Sequence, residues 1–395
     1  MRDDARGQLV MLARIAPIMA IAYLVMWLWL IDPGFPIPRD GTELVVGRDF
    51  LNFWIAGRHA WDSDPGQYYD LLTYQRAMAP LVGPGYPGQI WSYPPAVLLI
   101  AAPFGLLPYL PALAVWSMIG PIVFLLALSQ WTREPLLLVA AVLCPAAVFG
   151  LISGQIHFII AAILLTVLRQ RQARPWLAGA LLGLLIVKPQ LGLFFPLLFL
   201  VERNFRAVLA AGLSMLAIAG LTALFWGPGI WHEYFTVGIP TQSLVLSDPG
   251  ALSAPFMPTV LMNLRGASLS FAFASTAQAL ASVVAVALIA WRFRHRPAAD
   301  DWQANAGFLA AAVLGTPYML GYDTLALTTA ALFALVQRAV NRWAVLGCWL
   351  LVLVQMVLGQ IGLAGSALIP LFVALAFLGV FTRSTREGAR QLDVG

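Results

Sequence analysis

The sequence predicts an all-α, polytopic membrane protein. Hydrophobic residues fill 61% of its 395 positions and charged residues only 10%, whereas a soluble globular domain carries about 25% charged residues. The apolar residues form many separate segments, and short polar gaps rich in arginine lie between them. Such segments span a bilayer as helices, because a helix satisfies its own backbone hydrogen bonds in lipid.

Twelve apolar segments, give or take one, are predicted to span the membrane. Several are shorter than the roughly 20 residues of a straight crossing, which predicts tilted or broken helices. The first is expected to remain in the mature protein, since it lacks a small-residue cleavage motif. In chain order they are residues 14–31, 109–130, 135–149, 155–169, 175–187, 190–202, 206–226, 269–291, 303–317, 322–337, 343–361 and 366–382.

The arginine positions predict the orientation, because cytoplasmic gaps carry an excess of arginine. Two arginine gaps flank residues 175–202, and both can be cytoplasmic only if that stretch is a hairpin with its tip at Lys188 and Pro189. Both chain termini are then predicted to be cytoplasmic. The arginine-dense gaps are residues 169–174, 203–206, 292–296, 338–342 and 383–390.

The longest gaps are predicted to lie outside the cytoplasm, within a single domain covering residues 1–395. Residues 32–92 and 227–265 are rich in glycine and proline, and loops of this length are usually functional. Residues 93–107 are apolar but are predicted to be re-entrant or interfacial. A further crossing there would place the two termini on opposite sides of the membrane.

Lys188 is the only lysine of the chain and lies inside an apolar run. A cation at bilayer depth costs about 2.5–3.5 kcal/mol on insertion scales, so it usually faces a cavity or a partner. At the tip of the predicted hairpin, Lys188 lies at the depth of lipid headgroups. Snorkelling of a helix-end lysine towards those headgroups is the simpler explanation.

Other polar groups are predicted on the same external face. Each has an ordinary explanation when taken alone: Asp49 as a solvated loop carboxylate, Asp323 as a helix cap, His157 as a buried structural histidine and His232 as a surface residue. The sequence has no metal-ligand spacing, dinucleotide fingerprint, phosphate loop or nucleophile elbow. The candidate site residues are Arg48, Asp49, Tyr93, Gln155, His157, Lys188, Gln190, His232, Tyr318, Tyr322 and Asp323.

In their order along the chain, the short motifs resemble glycosyltransferase family 87, whose members are GT-C-type membrane enzymes. Each motif is short, but six of them occur in order between about residues 45 and 335. The matching stretches are Asp49-Phe50, Tyr69-Asp70, Tyr93-Pro94-Pro95, Gly154-Gln155, Lys188-Pro189-Gln190, and Pro317-Tyr318 with Tyr322-Asp323.

The resemblance implies an inverting transfer of a hexose, most often mannose, from a polyprenyl phosphate to a glycan or lipid acceptor. It places the reaction on the extracytoplasmic face of the bacterial cytoplasmic membrane, with no metal or further cofactor. The position that fits the general base of such enzymes is Asp49. Arg48 departs from the family pattern, and it either lowers the pKa of Asp49 or binds the donor phosphate.

The chemistry of the residues agrees with that implication. The acceptor hydroxyl must lose a proton as the new bond forms, and a carboxylate such as Asp49 can accept it. The leaving lipid phosphate needs a cation, which Lys188 can supply. The remaining candidates divide into a donor group and an acceptor group. Arg48, Tyr93, Gln155, His157 and Gln190 are predicted on the donor side, and His232, Tyr318, Tyr322 and Asp323 on the acceptor side.

Two other classes of protein remain open from the sequence. A lipid or sugar transporter or flippase predicts charges spread through the membrane depth, whereas the candidate residues here gather at one face. A polymerase or ligase of surface polysaccharide predicts arginine pairs in the external loops, where Arg48 and Arg58 come nearest. Glucose, galactose or arabinose in place of mannose would leave the motifs unchanged.

Overall fold

The architecture is helical throughout the part of the chain that the structure, a computed structural model, describes. That part is residues 3–247, 254–337 and 340–380. The helices are α1 (Asp3–Leu28), α2 (Phe50–Arg58), α3 (Leu71–Val82), α4 (Leu98–Gly105), α5 (Tyr109–Ser129), α6 (Pro135–Val142), α7 (Pro145–Ile152), α8 (His157–Gln170), α9 (Pro175–Gly183), α10 (Pro189–Gly192), α11 (Phe195–Val201), α12 (Phe205–Trp226), α13 (Gly229–Glu233), α14 (Ile239–Ser247), α15 (Val260–Gly266), α16 (Phe271–Phe293), α17 (Trp302–Gly315), α18 (Leu325–Gln337), α19 (Arg342–Gln360) and α20 (Leu368–Phe377).

Five helices within those ranges are long and apolar enough to cross a membrane. They are α1, α5, α12, α16 and α19, and a sixth crossing results if α6 and α7, which meet at an angle of 46°, are counted as one broken span. The prediction of a multi-pass, all-α membrane protein is therefore confirmed.

The predicted number of twelve spans is not confirmed. Within the described residues each predicted span overlaps with helix, but several of these helices are interrupted or short. Helix α8 has 14 residues, which gives a length of about 21 Å against a hydrocarbon core of about 30 Å.

Residues 175–202 double back, as the arginine gaps predicted. Arg171 donates to the carboxylate of Glu202 (Nε–Oε1 2.9 Å), and Asn204 donates to the carbonyl of Arg171 at 2.5 Å. A continuous helix from Arg171 to Glu202 would hold these two residues about 45 Å apart. Lys188 interrupts the helical path with non-helical backbone angles (φ −144°, ψ 69°), followed by Pro189 at the start of α10.

Several short turns between helices meet at the end of the bundle that contains Arg171, which we call the arginine-rich end. It gathers the turns near residues 171, 203, 297 and 340 and the start of α1, while residues 383–390 lie outside the described part of the chain. The hydrogen bonds that join these turns are Arg171 Nη2 to the Pro297 carbonyl (3.0 Å), Gln337 Nε2 to the Asp300 carbonyl (2.8 Å) and Gln8 Nε2 to the Arg342 carbonyl (2.9 Å).

The two long predicted loops contain helices of their own. Residues 32–92 include α2 and α3, and residues 227–265 include α13 to α15, with a π-helical stretch at Tyr234–Gly238. Residues 93–107 contain α4, whose eight residues are too few for a crossing. Their re-entrant placement stays a prediction.

Helix α4 packs closely on α2, and the crossing needs glycine on both helices. A Cβ atom added to Gly57 would lie 2.2 Å from the carbonyl oxygen of Ala101, and one added to Gly105 would lie 2.1 Å from the backbone of Gly57. This close contact fixes the helix whose first turn follows Asp49.

Candidate active site

A cavity of about 890 Å³ lies at the end of the bundle that holds Lys188, opposite the arginine-rich end. This central cavity falls within the range of roughly 300–1,000 Å³ that small-molecule sites occupy. Its wall combines the first loop, the α7–α8 turn, the break before α10, the second loop and the turn before α18. Most of the predicted external segments therefore meet around one space.

Asp49 reaches the cavity from a strained turn. Gly47 and Arg48 both have positive φ, at 85° and 36°, and the backbone amide of Asp49 donates to the carbonyl of Ser153 at 3.0 Å. Asp49 directly precedes α2, yet its side chain does not cap that helix. The carboxylate therefore points into the cavity, near the partly positive end of a helix.

The carboxylate of Asp49 is held by one of its two oxygens. Gln155 Nε2 donates to Oδ2 at 2.9 Å, and the hydroxyl of Tyr322 donates to the same oxygen at 3.0 Å. Within the described ranges, no side chain donates to Oδ1. One carboxylate oxygen is thus fixed in place, and the other is left for a ligand.

Burial in the cavity wall raises the pKa of Asp49 above its ordinary value of 3.8. The hydrogen bonds from Gln155 and Tyr322 and the positive charges of Lys188 and Arg48 act in the opposite direction. The net shift is upwards, which makes the Asp49 carboxylate a stronger base than a carboxylate in water.

Gln155 owes its position to the glycine before it. Gly154 has a φ of 63°, and a Cβ atom added there would lie 2.6 Å from Cβ of Phe50 and 2.7 Å from the carbonyl oxygen of Gly47. This contact packs the α7–α8 turn against the start of α2. Gln155 then bridges Asp49 and the hydroxyl of Tyr93, to which its Nε2 donates at 3.0 Å.

Lys188 has a carboxylate partner at the cavity wall. Its ammonium donates to Asp323 (Nζ–Oδ1 2.9 Å), and the exposed fractions of the two side chains are 5% and 2%. The ring of Tyr322 also lies close, with its centroid 5.0 Å from Nζ. The predicted external tip of the hairpin therefore holds a buried ion pair, and Asp323 is the residue after Tyr322, which holds Asp49.

Arg48 lines the same cavity but is paired with a residue that the sequence did not single out. It donates to Asp40 (Nη2–Oδ2 3.0 Å) and to the hydroxyl of Thr42 at 2.9 Å. The two side chains of the ion pair are 10% and 3% exposed. An acidic residue eight positions before Arg48 was the available signal in the sequence.

Nine of the eleven predicted site residues line the cavity, and the two histidines do not. The ring of His157 lies in the core, with Nδ1 3.1 Å from the carbonyl of Gln155 and Nε2 3.0 Å from the carbonyl of Ala147. Backbone groups therefore occupy both ring nitrogens. His232 is exposed, and Tyr234, two residues later, lines the cavity.

Sequence reasoning missed the contact between the two long loops. The hydroxyl of Ser92 donates to the side-chain oxygen of Gln242 in α14, and both residues line the cavity. Ser92 stands next to the Tyr93 motif, whereas Gln242 carried no signal. Asn52 also lines the cavity and accepts from the hydroxyl of Tyr74.

In the described part of the chain, no group of three or more His, Cys, Asp or Glu residues is placed to hold a metal ion. The reaction without a metal or further cofactor stays a prediction.

The family of this chain follows from a match to a known sequence profile. The sequence profile of glycosyltransferase family 87 matches residues 91–321, which is more than half of the chain. The chain belongs to glycosyltransferase family 87. The resemblance predicted from the motifs is thus confirmed.

The region matched by the family 87 profile includes only part of the candidate site. The matched region contains Tyr93, Gln155 and Lys188, but it begins after Asp49 and ends just before Tyr322. The assignment of Asp49 as a site residue therefore rests on its position in the cavity.

The curated relatives of this family 87 chain are two alpha-(1->3)-arabinofuranosyltransferases of Mycobacterium tuberculosis, from strains CDC 1551 / Oshkosh and ATCC 25618 / H37Rv. Each is 31% identical over 183 residues, which cover 42% of this chain and 37% of the relative. The chain thus matches little more than a third of the length of these relatives. No solved structure matches the chain, so the GT-C-like arrangement of its helices stays a prediction.

Proposed function

We propose that this family 87 protein is an inverting glycosyltransferase with a polyprenyl-phosphate sugar as donor and the hydroxyl of a glycan or lipid as acceptor. The observation that carries the proposal is the meeting of Asp49 and Lys188 at one cavity. A base with a free oxygen and a cation for a leaving phosphate are the two groups that such a transfer requires.

The reaction is a one-step displacement. The acceptor hydroxyl gives its proton to Oδ1 of Asp49 while its oxygen forms a bond to the anomeric carbon. The bond between that carbon and the phosphate oxygen breaks, and its electron pair stays on the lipid phosphate. The products are a glycoside of inverted configuration and a polyprenyl phosphate, whose charge the ammonium of Lys188 stabilises.

The geometry supports specific roles for three neighbours of these groups. Gln155 and Tyr322 hold Oδ2 of Asp49, so the other oxygen faces the acceptor. Tyr93 shares the amide of Gln155 and adds a hydroxyl beside the base. Holding the base in one orientation lowers the entropy cost of the reaction.

The arginine-rich end supports the extracytoplasmic placement of the reaction. The central cavity lies at the opposite end of the bundle from Arg171 and its neighbouring turns. Under the positive-inside rule the arginine-rich end is cytoplasmic, so the cavity opens towards the outer face of the cytoplasmic membrane.

The sugar remains part of the proposal, with two candidates. The motif resemblance implied a hexose, with mannose first. The relatives are named arabinofuranosyltransferases, which favours a pentofuranose. Both donors therefore belong in the assay.

The two other functional classes make different use of the same residues. A polysaccharide polymerase or ligase would need free arginines in the external loops, whereas Arg48 is bound to Asp40 and Arg58 stacks on Trp54 at 4.8 Å. A transporter or flippase would move a lipid-linked sugar without forming a glycosidic bond. Assay of product formation separates it from an enzyme.

The test uses purified protein, an acceptor panel, and polyprenyl phosphates carrying mannose or arabinofuranose. Wild type should form a glycoside from one of these donors, Asp49→Asn should lose about 10²–10⁴-fold in rate, and Lys188→Ala about 10²–10³-fold. Asp70→Asn is the matched control, because Asp70 is a first-loop acid that caps α3 outside the cavity and an asparagine can also cap a helix. Full activity of both cavity variants would refute the mechanism.

A further inference from the structure

The ion pair of Lys188 has a consequence for how the lipid phosphate binds. Asp323 holds the ammonium at 2.9 Å, and both side chains are almost fully buried. An ammonium on a four-carbon stem can turn towards a new partner. Lys188, the proposed partner of the lipid phosphate, is thus already paired with a carboxylate of this chain.

Asp323 is more firmly fixed than Lys188. Its second oxygen, Oδ2, accepts from the backbone amide of Leu320 at 3.2 Å, within the turn that leads into α18. The next residue back, Tyr322, donates to Asp49. A shift of Asp323 would therefore disturb the base, whereas Lys188 can leave Asp323 by rotating its own side chain.

The charges around the cavity also favour an exchange of partners. Lys188 and Arg48 line the wall as cations, and each is paired, Lys188 with Asp323 and Arg48 with Asp40. Asp49 adds a further carboxylate. A phosphate that entered with both pairs intact would meet more negative than positive charge in a region of low dielectric.

We infer that Asp323 is a positioning residue that holds Lys188 before the donor binds, and that the lipid phosphate binds by replacing Asp323 as the partner of the ammonium. This inference rests on the proposed polyprenyl-phosphate donor. No bond forms or breaks in the exchange. Because Asp323 competes for Lys188 at every step, it weakens the hold on the donor and on the lipid-phosphate product alike, and it speeds product release.

The experiment measures the affinity for farnesyl phosphate, a short polyprenyl monophosphate, with farnesol as the uncharged reference. In Asp323→Asn the amide still offers an oxygen to Lys188, but the competing charge is gone. We expect farnesyl phosphate to bind and inhibit transfer about tenfold more tightly than in wild type, since a charged hydrogen bond of this kind corresponds to roughly tenfold or more in affinity. The KM for donor and kcat should both fall, because product leaves more slowly.

Two further variants separate this role from a purely structural one. Asp323→Ser keeps an acceptor for the amide of Leu320 and should shift affinity in the same direction. Glu202→Gln removes a carboxylate from a buried ion pair away from the cavity, with Arg171 at the arginine-rich end, and should leave farnesyl phosphate affinity unchanged. If Asp323 were only structural, its replacement would raise the KM for donor instead.

The outcomes distinguish the exchange from the proposed function. If wild type prefers farnesyl phosphate to farnesol but neither Asp323 variant binds it more tightly, the exchange is wrong and the donor class stands. If wild type shows no preference for the phosphate, both are overturned.

Discussion

Replacing Asp49 by asparagine should abolish most of the activity while making the protein more stable. The side-chain oxygen of asparagine can accept the same hydrogen bonds from Gln155 (2.9 Å) and Tyr322 (3.0 Å), so the local geometry is kept. What is lost is the base. General-base catalysis contributes about 10²–10⁴-fold, which corresponds to roughly 3–5.5 kcal/mol of activation free energy.

The stability of Asp49→Asn should rise although its activity falls, because the pKa of Asp49 is raised in the folded wild type. A folded-state pKa above 3.8 means that the folded protein binds more protons than the unfolded chain above that pH. The free energy of unfolding of wild type therefore falls as pH rises from about 3.8 through the folded-state pKa. Asp49→Asn escapes this loss, so its melting temperature should exceed that of wild type at pH 7 and match it at pH values below 3.8.

The assay combines glycoside formation with thermal unfolding in detergent across pH. A variant that lost activity by misfolding would also lose stability, so the expected pair of results is specific to a buried catalytic carboxylate. Retained activity, or a lower melting temperature at pH 7 with no recovery in acid, would refute the reasoning.

Four further variants each test one feature of the site or of the fold. Gln155→Leu removes a hydrogen bond that lowers the pKa of Asp49, so the acidic limb of the kcat/KM profile should move to higher pH, and an unmoved limb would contradict the assignment of the base. Lys188→Arg should recover part of the activity lost in Lys188→Ala, measured as donor kcat/KM, because the charge is kept in a different shape. Gly154→Ala should destabilise the protein by about 1–3 kcal/mol or more in an unfolding assay, because Gly154 has a positive φ and a Cβ atom there would meet Phe50. Gly212→Ala in α12 is the control, and it should be neutral or stabilising because the space around Gly212 is open. Gln190→Cys, with Cys144 and Cys348 replaced by serine, should react with an impermeant thiol reagent from outside intact cells, and labelling only after permeabilisation would overturn the orientation.

The sequence could predict the composition of the site better than its contacts. The arginine gaps on both sides of residues 175–202 predicted the hairpin and placed Lys188 on the face that carries Asp49. The parity of the crossings is enough for that prediction. Nothing in it identifies Asp323 as the partner of Lys188, because 135 residues separate them and the pairing depends on how distant helices pack.

The misses have physical causes of the same kind. Hydropathy marks an apolar segment but not its breaks, so the 46° bend between α6 and α7 was not predicted. Gln155 and His157 are two residues apart at the start of α8, yet one lines the cavity and the other faces the core. The orientation of a helix start decides between them, and the hydrophobic pattern of α8 does not fix it.

A one-step transfer with Asp49 as the base inverts the anomeric carbon, so the configuration of the product is its sharpest test. A polyprenyl-phosphate sugar of known anomeric configuration is incubated with purified protein and acceptor, and the glycoside is analysed by NMR. We expect the opposite anomeric configuration in the product, formed by wild type and not by Asp49→Asn. A product of retained configuration, or one formed equally well by Asp49→Asn, would contradict it.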